Sequence, residues 1–125
     1  MKRIAPFALA AFALSACATL AAGPVRDDGM ARIGQPTRVG ALFATPQVLV
    51  EDSRCPINAR CVWAGRVVVT TRIDGPGWRE IANLTLGQPF ATHGAGLALT
   101  SVEPNKIAGT PATPAATYLF GFEPR

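Results

Sequence analysis

Histidine is nearly missing from this chain of 125 residues. His93 is the only one, and methionine is confined to Met1 and Met30. Zinc and copper sites draw on several His, Cys or Met ligands, so neither a transition-metal centre nor a copper carrier is expected. A hydrolytic triad needs a base. His93 is the single candidate, set beside glycines in a turn, and no Gly-x-Ser-x-Gly occurs. A Gly-rich phosphate loop is also absent. Acidic residues number only eight, too sparse for a calcium site of six or more oxygens, although Glu51, Asp52 and Asn58 are the nearest approach to one. Glu51 and Asp52 are neighbours in a strand and point to opposite faces, which denies paired-carboxylate chemistry. No cofactor, no metal and no enzyme activity is expected.

The charge balance excludes another class. The formal net charge is +4. Without Lys2 and Arg3, ten basic residues face eight acidic ones. The arginines are scattered from Arg26 to Arg125, so there is no nucleic-acid footprint, and the isoelectric point near 9.5 is a statement about solubility.

What is present begins with an export pattern. Lys2 and Arg3 precede the apolar run Ile4–Leu14, too short for a transmembrane helix of roughly 20 residues. Leu14-Ser15-Ala16-Cys17 then resembles the lipobox of bacterial lipoproteins. The resemblance implies cleavage after residue 16 and a lipid on Cys17. The alternative is an ordinary secretory signal cut near Ala18 or Ala22. Ala18 follows the cysteine in place of Asp, which under the enterobacterial sorting rule implies the outer membrane, facing the periplasm. Three cysteines would leave an odd thiol in an exported protein. With Cys17 lipidated, Cys55 and Cys61 remain as one pair, and an oxidising compartment makes a disulfide their expected state.

After a tether over residues 17–30, residues 31–125 read as one β domain. Strand-like runs fall at 39–43, 47–52, 62–74, 78–86, 90–92, 97–102 and 116–122. The longest alternates with period two: Cys61, Trp63, Val67, Val69 and Ile73 share one face, and Arg66, Thr70, Arg72 and Asp74 the other. Asp74-Gly75-Pro76-Gly77 is a turn signal, so 62–74 and 78–86 predict an antiparallel hairpin. Val102 is out of phase with Leu97 and Leu99, which predicts a bulge. Tyr118, Phe120 and Phe122 share a face. The expected fold is all-β, a small antiparallel sandwich or barrel of about six to seven strands.

The stretch from Glu51 to Gly65 joins two of these runs. Asp52, Arg54, Cys55, Pro56, Cys61, Trp63 and Gly65 resemble the Asp-x-Arg-Cys-Pro…Cys-x-Trp-x-Gly motif of small uncharacterised bacterial lipoproteins. Tyr118 and the turn Val102-Glu103-Pro104 extend the likeness. The resemblance implies the disulfide and the β-fold and carries no activity with it. Each residue also has a structural use. Asp52 can accept from backbone N–H groups in a turn, Arg54 can pair with Asp52 or Glu51, and Gly65 permits a bulge or a close approach. Trp63 is expected on the core face, beside the disulfide. The functional alternative is a binding loop of Arg54, Ile57, Asn58 and Arg60, constrained in the manner of a protease inhibitor. The reading is therefore a lipid-anchored envelope protein, a structural or protein-interaction module attached to the membrane by its lipid and facing an envelope partner. The alternative is a small inhibitor or ligand-sequestering lipoprotein.

Overall fold

The computed structural model describes residues 24–125; the export segment and Cys17 lie outside them. Eight strands run in the order β1 (Met30–Ala31), β2 (Thr37–Val39), β3 (Leu42–Asp52), β4 (Val67–Gly75), β5 (Trp78–Thr85), β6 (Pro89–Thr92), β7 (Ala95–Glu103) and β8 (Leu119–Pro124). They form two four-stranded antiparallel sheets, β2-β3-β4-β5 and β1-β8-β7-β6. This is a small β-sandwich.

The core is the inner face of both sheets. Val39, Leu42, Ala44, Val67, Val69, Ile73 and Leu84 from the first meet Leu97, Leu99, Val102, Tyr118, Phe120 and Phe122 from the second. The alternation of the sequence is what sorts them, since successive strand side chains point to opposite faces.

The expected hairpin is β4–β5, in continuous register from Val68↔Thr85 to Gly75↔Trp78. Pro76 and Gly77 make its turn, and Gly77 takes the positive φ of 75° that the second central residue of a type II turn requires. The β6–β7 hairpin turns through His93 and Gly94, both at positive φ, 48° and 74°, the pattern of a type I′ connection. The irregularity expected near Val102 is a register shift between Leu99 and Ser101 against β8.

Four expectations need correction. The run 39–43 is not one strand: Gly40 and Ala41 turn the chain between β2 and β3, with Gly40 at a φ of 60°. The strand expected over 47–52, beginning after Pro46, starts earlier: Pro46 lies inside β3, which runs unbroken from Leu42 to Asp52. The register shift between Pro46 and Val48 is how the ladder accommodates a residue with no N–H to donate. The β4 strand begins at Val67, not at 62, so Trp63 lies outside it. Finally, residues 24–30 are not all tether. Arg26 bridges Thr37 in parallel, the Phe122 N–H donates to the Gly29 carbonyl, and Met30–Ala31 pairs with β8. Backbone hydrogen bonds to both sheets pull this segment into the domain and add the eighth strand.

Candidate functional site

At one end of the sandwich, β3 leaves through Asp52 into the disulfide loop, β4 enters at Val67, and β7 passes to β8 through the long connection 104–118. The residues singled out in the sequence gather here. Asp52 is the last residue of β3, opposite Val67. Its carboxylate takes a two-pronged ion pair from Arg54, Nε to Oδ1 at 2.8 Å and Nη2 to Oδ2 at 2.9 Å. The Tyr118 hydroxyl donates to Oδ2 at 2.7 Å. Arg54 also donates to the carbonyls of Val102 at 3.0 Å and Pro104 at 2.9 Å. Lys106 Nζ donates to the Asp52 carbonyl at 2.9 Å. One guanidinium thus ties the end of β3 to the end of β7, and one hydroxyl ties it to the start of β8.

Both charges are largely out of water: the side chains of Asp52 and Arg54 are 6% and 15% exposed. Burial pushes the Asp52 carboxyl up, but the hydrogen bonds from Arg54 and Tyr118 and the guanidinium charge more than offset it, and the group sits below its ordinary value. The bond to Asp52 raises Arg54. Burial first, and then Asp52, raise Tyr118. The carboxylate is ionised at neutral pH with its lone pairs engaged, and Arg54 has committed all three of its nitrogens. The geometry is that of a clamp between sheets, not of a proton-transfer pair. Beside it lies a recess of about 200 Å³ lined by Asp52, Lys106, Ile107, Tyr118 and residues 110–113.

The disulfide between Cys55 and Cys61 is formed, with Cα atoms 5.8 Å apart. A loop this short is worth about 2–3 kcal/mol in the chain-entropy account. Its tip is tied down. The Asn58 side chain accepts from the Ala108 N–H at 2.7 Å and donates to its carbonyl at 3.2 Å, and the Ile57 N–H donates to the Lys106 carbonyl at 2.9 Å. Of the four residues read as a binding loop, Arg54 belongs to the clamp and Asn58 to the loop-to-loop contact. Ile57 and Arg60 are exposed.

Trp63 is a correction in burial as well as in secondary structure. It is 62% exposed, and its neighbour Val62 is 96% exposed. The cause is Gly65. Its φ of 67° breaks the extended backbone ahead of β4, so the alternation that holds from Val67 onward does not run back to Trp63. Gly65 also lies against the backbone of Ser53 and Arg54, where a Cβ would overlap the Ser53 carbonyl. Gly65→Ala therefore meets a left-handed φ and a backbone collision together. We expect a loss of about 2–4 kcal/mol, read as a lower urea midpoint at unchanged slope. A variant as stable as the wild type would contradict that close approach.

The partners of Asp52 across the sandwich carried no sequence signal for their contact. Tyr118 is 66 positions away and Lys106 is 54. At the opposite end, His93 stacks on Trp78 with ring centroids 4.0 Å apart, and the Thr92 hydroxyl bonds Glu80 and meets His93 Nδ1 at 2.8 Å. This cluster fastens the β6–β7 turn to the start of β5. Among the described residues no group of three or more His, Cys, Asp and Glu is placed to hold a metal ion. Comparison with protein-family models, curated proteins and solved structures returns no match.

Proposed function

We propose that this chain is a lipid-anchored protein of the cell envelope, held through Cys17 in the outer membrane on its periplasmic side, and that its sandwich acts as a protein-interaction module. The lipobox and the disulfide support the location. The observation that carries the interaction role is the free edge of β5. This strand ends its sheet and is eight residues long, from Trp78 to Thr85. An edge of that length presents unpaired N–H and C=O groups to an incoming strand. Ile81, at its middle, is 59% exposed.

A photo-crosslinking side chain at position 81 of the full chain, expressed in native cells, is expected to capture a discrete envelope protein. Ile81→Lys places a charge on the edge and is expected to reduce co-purification of that protein, because a charge on an edge strand discourages pairing. Crosslinks spread without preference over the most abundant envelope proteins would refute the assignment of the edge. The inhibitor alternative has less support. The tip is a turn, closed by the Ala59 N–H on the Pro56 carbonyl at 3.1 Å, whereas an extended segment is what adds to another protein's strand.

A further inference from the structure

We propose that the disulfide-loop end of the sandwich rests on the same phospholipid surface that holds the anchor, with Trp63, Val62 and Ile57 seated among the headgroups. The inference builds on the lipid-anchor reading and adds an orientation to it. The parallel bridge Arg26↔Thr37 sets the direction in which the chain leaves the domain. β2 descends from Thr37, opposite Ala44, to Val39, opposite Leu42. A segment parallel to β2 therefore descends too, and its upstream end points the other way, toward Asp52 and the loop. Pro24 is level with Gln35, whose amide reaches the Pro24 carbonyl, and nearby the Gly34 N–H donates to the Pro46 carbonyl. From Pro46 to Asp52 is six strand residues, or roughly 20 Å.

The chain between this point and the anchor is short. Cys17 to Gly23 are seven residues, which reach at most roughly 25 Å when fully extended. Seven residues at full stretch span about the distance from this point to the level of the loop and little more. A leash of that length leaving in that direction holds the loop end against the bilayer and gives it no room to stand clear.

The surface found there suits the place. Ile57 is 68% exposed, Val62 96%, Trp63 62% and Ile107 49%, on elements stapled by the disulfide and by Asn58. Tryptophan and arginine are the side chains that settle at a headgroup boundary. Arg60 and Lys106 have no carboxylate partner among the described residues, while Glu51 and Asp52 are committed to Arg66 and Arg54. Glu103 is the opposing free carboxylate at this end. The far end differs: its Trp78 is stacked on His93 and half-buried. The two tryptophans thus mark the two ends of the domain.

The test uses the full-length lipidated protein in vesicles of phosphatidylethanolamine with a minority of phosphatidylglycerol, with and without brominated acyl chains. Trp78→Phe leaves Trp63 as the reporter, and Trp63→Phe leaves Trp78. Trp63 emission is expected to shift to the blue and fall roughly twofold with bromolipid, as for an interfacial aromatic, with Trp78 unaffected. If Trp78→Phe does not fold, subtracting the Trp63→Phe signal from the wild type gives the same quantity. Mass spectrometry of Cys17 separates the two claims. Lipid on Cys17 with Trp63 unquenched overturns the seated loop and leaves the anchor standing. No lipid on Cys17 overturns both. Trp63 shielded in native membranes but not in vesicles would assign this face to a protein partner and overturn the proposal.

Discussion

Asp52→Ala is expected to cost the domain about 3–5 kcal/mol, because removing one member of a buried ion pair strands the other. Arg54 would keep its bonds to the Val102 and Pro104 carbonyls but lose its counter-charge, and Tyr118 would lose its acceptor. A loss of that size consumes much of a typical domain stability of roughly 5–15 kcal/mol. The effect is pH-dependent with a definite sign. Asp52 is depressed below its ordinary 3.8 in the folded state, so its contribution is complete above 3.8 and drains away as pH falls through the lower folded value. Tyr118 is raised above 10.0, so its share is complete below 10.0 and is lost as pH climbs through the raised value. Urea midpoints across this range should form a plateau with an acid limb and an alkaline limb. Asp52→Asn should flatten the acid limb. An acid limb unchanged in Asp52→Asn would mean that other carboxylates set it and that the clamp is energetically minor.

Phe120→Ala should be as damaging by a different route. Phe120 is fully buried, pairs with Ala31 on one side of β8 and Val102 on the other, and lies 5.9 Å from the Tyr118 ring. Truncation leaves a cavity between two sheets whose backbones are held by their ladders and cannot collapse to fill it. Losses of about 3–5 kcal/mol are typical. For a domain of this size that corresponds to a fall in melting temperature on the order of 15–30 °C. Calorimetry would measure it directly, and a fall of only a few degrees would show that the interface between the sheets repacks freely.

The period-two pattern made most of the fold readable. It placed the β4–β5 hairpin, the aromatic face of β8 and the shift near Val102, because each depends on side chains alternating within a few residues. It failed where backbone geometry interrupts the alternation. Gly65 turns the chain before β4, and the pattern drawn backward from Val67 put Trp63 on the wrong side. Pro46 looked like a strand boundary because a missing N–H usually is one, yet a local register shift absorbs it. Residues 24–30 carry no apolar period because their attachment is made by backbone groups, which leave no mark in the sequence. At the candidate site, spacing offered Arg54 either Asp52 or Glu51, and the fold selects Asp52 while Glu51 goes to Arg66; the disulfide was visible from cysteine counting. The closing partners, Tyr118 and Lys106, reach Asp52 only through the sandwich topology.

The segment from Arg26 to Ala31 has a mechanical consequence. It bonds to β2 in one sheet and to β8 in the other, so a pull on its upstream end is resisted first by β2 and then by β8. Because Arg26 runs parallel to β2, a pull toward the loop end acts along the strand and shears the slanted hydrogen bonds of a parallel pair. Those bonds share the load together, not in sequence. A domain pulled this way yields by sliding under force and resists peeling open from that end.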